Sequence, residues 1–231
     1  SLLFAVRSFK HPQENKQSES ETIDEDEGSE ATDQSLLTFL KKYKRLVLLM
    51  VGVVALLFTH TVVNNFFIQI IAPIGGNSAS MGTAVFLGAI VELPAMFNYE
   101  RIENRIPARH LLKITGLFFL VKHVLTFLAP NMTVIYIAQL FQIGAFALIY
   151  PTSVSYIRSV VSPKDSIKGQ SLFTSAMAAS SVIGSFLGGV LLDNLGVAQT
   201  LFFGIVTTVI GLIIVFVATE GRVKKQAVQV K

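Results

Sequence analysis

Cysteine is absent from this 231-residue sequence, which excludes disulfide bonds and metal sites built from thiolates. Charged residues are also scarce, at 15% against about 25% in an ordinary soluble domain. Hydrophobic residues make up 52% of the chain, and the mean hydropathy is +0.59. These values indicate an integral membrane protein. The net charge of +4 does not indicate nucleic-acid binding, because the basic residues follow the membrane topology.

The sequence also lacks the motifs of membrane-embedded hydrolases. It contains neither H-E-x-x-H nor G-x-S-x-G, and no carboxylates cluster at one depth of the predicted spans. We therefore expect no enzymatic activity and neither a cofactor nor a bound metal ion. A coupling proton is the one accessory species that we consider.

The first 34 residues have too few apolar side chains to form a domain. Residues 1–10 are apolar but too short to span, and we interpret them as the end of a preceding helix in a longer protein. A processed or engineered start is the alternative. Residues 11–34 contain nine acids and predict a flexible cytoplasmic linker. A calcium site is the other interpretation, but the spaced ligand loop is missing.

Long apolar stretches fill the rest of the chain and predict an all-α membrane protein. Residues 35–45 are amphipathic and predict an interfacial helix with its bases at anionic headgroups. A six-helix transmembrane bundle is expected over 46–219, followed by a basic tail at 220–231. Each predicted span can cross a hydrocarbon core about 30 Å thick. The spans are 46–71, 80–98, 111–129, 133–157, 170–192 and 200–219.

Lysine and arginine are missing from alternate connections between these spans. The connections near 73–79, 130–132 and 193–199 contain no base. The other connections and both flanks contain all the bases outside the spans from residue 41 onward. Since bases concentrate in cytoplasmic loops, this alternation predicts that both termini are cytoplasmic.

Glu92 and Lys122 are the charges placed well inside predicted spans. A charge at this depth costs at least about 2.5–3.5 kcal/mol, so it normally faces a protein interior or a wet cavity. Glu92 precedes Pro94, which removes a helix hydrogen bond nearby. One interpretation is a structural ion pair that holds two helices together. The other is a protonatable carboxylate beside a cation, which proton or cation coupling requires.

Polar side chains in the first and fourth spans add to these charges. The first span contains His60, Asn64 and Asn65, and the fourth contains Gln139 and Gln142. They could form interhelical hydrogen bonds worth about 0.6 kcal/mol each. They could instead line a cavity for a polar solute. In the fifth span, the spacing of Gly184 and Gly188 predicts close approach of a neighbouring helix.

These features resemble the C-terminal half of a major facilitator superfamily transporter, with six spans and a long acidic linker in front. Residues 103–109 (E-N-R-I-P-A-R) look like the superfamily's D-R-x-G-R loop, with Asn104 where an acid is usual. Residues 189–196 (G-V-L-L-D-N-L-G) are similar to the G-x-x-x-D-x-x-G ending after the eleventh helix. Residues 81–94 resemble sugar efflux transporters and the lactose-permease-like group.

The resemblance implies that the spans are helices seven to twelve. Lys122 then falls where the lactose permease has an essential arginine, and Glu92 falls near its sugar-binding acid. Gln139 and Gln142 fall where that permease has its proton-coupling histidine and glutamate, so Glu92 is the remaining candidate for proton coupling. The implied residues of the conformational or gating loops are Glu103, Arg105, Arg109 and Asp193.

The expected function is secondary active transport of a small polar solute by alternating access, with sugars as the first class and proton coupling. Efflux of drug-like amphiphiles is one alternative, and an oligomeric six-helix channel or scaffold is another. The expected partners are a missing N-terminal six-helix half, the bilayer and the solute. The expected location is the plasma (inner) membrane.

Overall fold

The structure is a computed structural model that describes residues 36–220. The predictions for residues 1–10, 11–34 and 221–231 therefore lie outside the described residues. By internal contacts the chain divides after Thr38, and the bundle belongs to the unit that begins at Phe39.

Residues 36–220 contain helices and no β-strand. A helical segment at 36–42 precedes the bundle. The bundle helices are α1 (Lys44–Asn65), α2 (Phe67–Ile71), α3 (Ser78–Phe97), α4 (Tyr99–Arg105), α5 (Ala108–Phe127), α6 (Met132–Leu140), α7 (Phe146–Val160), α8 (Ser166–Leu195) and α9 (Val197–Thr219). Short 3₁₀ turns lie at Ala72–Ile74, Phe141–Ile143 and Pro163–Asp165.

The predicted all-α membrane fold with six apolar spans is confirmed. Six segments are long and apolar enough to cross a membrane, and each overlaps one predicted span. Two of the predicted spans are not continuous. The first is interrupted at Phe66 between α1 and α2, and the fourth is interrupted between α6 and α7. At the start of the bundle, Tyr43 separates the segment 36–42 from α1, so the last two bases of the predicted interfacial helix lie in α1.

Helix α1 is the most buried of the six spans and packs mainly against α9 and α8. Glycines allow both contacts. A Cβ atom on Gly211 would lie 2.8 Å from the carbonyl oxygen of Gly52, so α1 and α9 meet backbone to backbone. A Cβ atom on Gly184 would lie 2.8 Å from Thr61, and one on Gly188 would lie 2.8 Å from Val62. The close approach predicted from the Gly184 and Gly188 spacing is therefore confirmed.

Helices α3 and α8 are the least buried of the six spans. Only 17% and 22% of their most apolar 18-residue stretches are buried inside the protein. Both helices expose large apolar side chains, such as Phe97 at 84% and Phe186 at 70%. These faces must meet lipid or another polypeptide, because water would not solvate them.

Three contacts join the base-rich segments at one end of the bundle. They link Lys42 to Asp165 (Nζ–Oδ2 2.7 Å), Glu103 to Ser155, and Lys113 to Glu220 (Nζ–Oε1 3.9 Å). The hydrogen bond to Asp165 raises the pKa of Lys42 above its ordinary value. The base-rich connections therefore share one end, as the alternation of bases predicts.

Candidate functional site

A cavity of about 350 Å³ lies between α1, α2, α3 and the interrupted α6–α7 segment. Four polar residues that the sequence singled out line it together: Asn64, Glu92, Gln139 and Gln142. The remaining wall is apolar or small and consists of Phe67, Val85, Gly88 and Ala89. The cavity therefore combines one carboxylate with three amides, which can donate and accept hydrogen bonds.

The interruption of the fourth span places its two glutamines in this wall. Helix α6 ends at Leu140, Gln142 lies in a 3₁₀ turn, and Ala145 has φ −87° and ψ −88° before α7 begins. Non-helical backbone at membrane depth is tolerated where it is buried or lines a cavity. The predicted span over 133–157 is therefore present but contains a break in its helix.

Gly144 permits this interruption through a contact with a distant residue. A Cβ atom at Gly144 would lie 2.2 Å from the ring of Phe118 on α5, so a side chain there would collide with the ring. Phe118 also contacts Phe141, at 5.9 Å between ring centroids. The ring of Phe118 therefore packs directly on the turn that contains Gln142.

Helix α3 presents Glu92 to the cavity from a face of small residues. Val85, Gly88, Ala89 and Glu92 recur at the spacing of one helical face. A Cβ atom on Gly88 would lie 3.3 Å from Oε1 of Gln139, so the glycine allows α3 and α6 to approach closely. The Glu92 side chain is half-buried, which leaves its carboxylate accessible from the cavity.

Lys122 on α5 is fully buried behind the cavity wall. Its ammonium donates a hydrogen bond to Oε1 of Gln142. The direct ion pair considered from the sequence is not formed, because no carboxylate oxygen in residues 36–220 lies within 4.0 Å of Lys122 Nζ. Lys122 therefore connects with the cavity through the amide of Gln142.

His60 and Asn65 of the predicted site do not line the cavity. The Asn64 amide donates to Nε2 of His60 (2.9 Å), as their spacing of four allows. The His60 ring stacks on Phe146 at 4.7 Å between centroids. Asn65 points to α8 instead, where it donates to Oγ of Ser185 (2.7 Å). His60 therefore lies behind Asn64, and Asn65 joins two helices.

A second polar group joins α1, α5 and α9, and the sequence analysis missed it. Nδ1 of His123 lies 2.8 Å from Oγ1 of Thr208, which lies 3.1 Å from Oγ1 of Thr59. Thr59 donates to the carbonyl oxygen of Gly204 (2.7 Å). The threonines in an otherwise apolar α9 were the available signal. This network is fully buried and holds helices together.

The predicted loop residues lie at two ends of the bundle. The carboxylate of Glu103 on α4 accepts a hydrogen bond from Ser155 on α7. Arg105 and Arg109 are exposed on either side of the start of α5. Asp193 is exposed in the last turn of α8. Because successive spans alternate in direction, Asp193 lies at the opposite end from α4.

Comparison with known proteins gives one family match. The model of the MFS_1 like family matches residues 1–203. No curated protein and no solved structure gives a significant match. The family match covers most of the chain, and the six spans fit a multi-pass membrane transporter related to the major facilitator superfamily. The chain belongs to the MFS_1 like family.

Proposed function

We propose that this chain is the C-terminal six-helix half of a secondary active transporter that moves a small polar solute by alternating access. The observation that carries the proposal is the cavity in which Glu92, Asn64, Gln139 and Gln142 converge. Transporters of this general kind bind their solutes near mid-membrane, beside interrupted helices. The break between α6 and α7 provides such a helix.

The chemistry of the cavity favours a solute with several hydroxyl groups. A carboxylate accepts hydrogen bonds from hydroxyls, and amides both donate and accept them. Lys122 holds Oε1 of Gln142, so the Nε2 group of Gln142 remains as a donor for the solute. The volume of about 350 Å³ lies near the lower end of the ~300–1,000 Å³ found for small-molecule sites. Sugars are therefore the first candidate class.

Proton coupling is assigned to Glu92 in this proposal. Gln139 and Gln142 cannot carry a proton, so the carboxylate is the titratable group of the cavity wall. Protonation of Glu92 would remove the negative charge of the cavity wall, behind which the positive charge of Lys122 is buried. The hydrogen bond between Lys122 and Gln142 then links the protonation state of Glu92 to an amide that contacts the solute.

The partner in this proposal is an N-terminal half that covers the cavity side of the bundle. The uncovered apolar faces of α3 and α8 support it, because a second bundle would bury them. Both termini would be cytoplasmic, in the plasma (inner) membrane. A stand-alone channel predicts instead that this chain assembles without a separate N-terminal half. Co-purification of the two halves from cells that express them as separate chains would support the transporter.

Efflux of amphiphiles is the second candidate, and it is favoured by Phe67 and Val85 in the cavity wall. Apolar and aromatic walls of this kind bind drug-like molecules. A competition assay tests whether both classes of solute use this cavity. An amphiphile that binds there should displace a bound sugar.

Solute uptake by variants of the full-length protein tests the proposal. Glu92→Gln and Lys122→Ala should both lose concentrative uptake, and near-normal uptake by both would refute the site. Asn64→Ala and Asn65→Ala form a matched pair, because the two asparagines are adjacent and only Asn64 lines the cavity. Uptake should fall in Asn64→Ala and persist in Asn65→Ala.

A further inference from the structure

A second cavity of about 340 Å³ lies at the base-rich end of the bundle. It is an open groove bordered by the end of α3, by α4, by the first half of α5 and by the start of α7. Its walls consist of apolar side chains and one glycine, among them Ala95, Ile102, Ile106, Ile114 and Phe118. This wall offers no hydrogen bonds from side chains, so a polar solute has no reason to enter it.

Three arginines lie on the segment that joins α3 to α5, within two residues of the cavity wall in the sequence. Arg101 directly precedes the wall residue Ile102, Arg105 directly precedes the wall residue Ile106, and Arg109 lies at the start of α5. All three are exposed, and none forms an ion pair within residues 36–220. Among the described residues, Arg101 and Arg109 make hydrogen bonds to neutral neighbours, the side chains of residues 98 and 110.

The acids of the same segment form no ion pair with these arginines among residues 36–220. Glu103 turns towards α7, where it accepts the hydrogen bond from Ser155. Glu100 is exposed in the first turn of α4. Within residues 36–220 the segment therefore presents three guanidinium groups without an ion pair. They lie close in sequence to the wall of an apolar cavity, at the end of the bundle where the spans leave the hydrocarbon.

We propose that this cavity binds one acyl chain of an anionic phospholipid, with the lipid phosphate against Arg101, Arg105 and Arg109. Guanidinium groups bind phosphate oxygens in a bidentate geometry, and basic clusters at membrane interfaces attract anionic headgroups. An acyl chain matches the walls, which have only apolar groups to offer. Neither a free anion nor an uncharged apolar molecule would use both halves of this site.

The lipid would act on the transport site through Phe118. The ring of Phe118 forms part of the lipid cavity wall and also packs on Gly144 in the break between α6 and α7. The same break contains Gln142, which contacts Lys122 and lines the polar cavity. An acyl chain in the cavity holds this ring against the break, so the bound lipid stabilises the interrupted helix.

Lipid binding can be measured without any transport assay. Thermal unfolding of the delipidated, detergent-purified full-length protein would be followed during titration with phosphatidylglycerol, phosphatidylcholine or inorganic phosphate. Phosphatidylglycerol should stabilise the protein at lower concentration than phosphatidylcholine, and inorganic phosphate alone should have no effect. Each arginine removed should weaken the apparent affinity for phosphatidylglycerol about fivefold.

Two variants and one control separate the parts of the site. Arg105→Gln should lose much of the preference for the anionic lipid. Ile114→Phe should weaken the effect of both lipids, because the larger side chain fills the cavity. Arg158→Gln removes an exposed arginine of the same end, outside the cavity wall, and should respond as the unmodified protein does.

The proposal is overturned if phosphatidylglycerol and phosphatidylcholine stabilise equally. It is also overturned if inorganic phosphate reproduces the effect, which indicates a free-anion site, or if Arg158→Gln weakens binding as much as Arg105→Gln. Because unfolding is the readout, these outcomes do not depend on whether the protein transports a sugar.

Discussion

Replacement of Gln142 by leucine would remove the hydrogen-bond acceptor of a fully buried ammonium. Lys122 has 0% of its surface exposed, and its Nζ donates to Oε1 of Gln142. Leucine has nearly the volume of glutamine, so the change leaves little empty space. Lys122 does not itself line the cavity, so the leucine side chain would stand between its ammonium and the cavity. The variant therefore isolates the electrostatic part of this contact.

The expected loss is set by the charge on Lys122. A hydrogen bond to a charged group contributes about 1.5–3 kcal/mol, and a buried charge left without a partner adds a desolvation cost. An ordinary interhelical hydrogen bond in a membrane contributes only about 0.6 kcal/mol. Gln142→Leu should therefore lower the free energy of unfolding by about 1.5–3 kcal/mol. Gln139→Leu, in the same cavity but with no side-chain hydrogen bond among residues 36–220, should cost less than about 0.6 kcal/mol.

A double-mutant cycle makes the test specific. Lys122→Met removes the charge, so adding Gln142→Leu to it should cost little, because replacement of both partners by apolar groups can be nearly neutral. The free energies of unfolding would be measured by denaturant titration of the detergent-purified full-length protein. Losses that add within about 0.3–0.5 kcal/mol would refute the reasoning, because they show that the two residues do not interact.

Three further substitutions test the packing and the cavity. Gly211→Ala places a Cβ atom 2.8 Å from the carbonyl oxygen of Gly52. The free energy of unfolding, measured by denaturant titration, should therefore fall by about 1–3 kcal/mol. Thr208→Val removes the partner of His123 without changing shape, and should destabilise by about 1–3 kcal/mol while uptake persists. Gly88→Val fills the polar cavity, and should reduce solute uptake about 10-fold or more with the fold retained, as circular dichroism would show.

The sequence predicts the spans because hydropathy and the alternation of bases depend only on the local chain. The same spans single out Glu92 and the two glutamines as polar residues inside apolar helices. The break at Gly144 could not be predicted, since it depends on the ring of Phe118, which is distant in the sequence.

The hydrogen-bond partner of Lys122 also could not be predicted from the sequence. Lys122 contacts Gln142 rather than Glu92 because of the rotation of α5 about its axis, and packing sets that rotation. The same limit applies to the adjacent asparagines, of which one faces the cavity and the other faces α8. Neighbouring polar residues in a helix point about 100° apart, and composition does not reveal which one faces the solute.

The central claim is that Glu92 borders a water-filled cavity that the solute enters. The absence of cysteine from this chain allows a direct test, which is the labelling of Glu92→Cys and Leu93→Cys by a membrane-impermeant thiol reagent. Leu93 is the adjacent residue and does not line the cavity. A thiol reacts as the thiolate, which needs a polar environment. The account predicts rapid labelling at position 92, slowed by the transported solute, and little labelling at position 93. Equal labelling at both positions, or none at position 92, would contradict it.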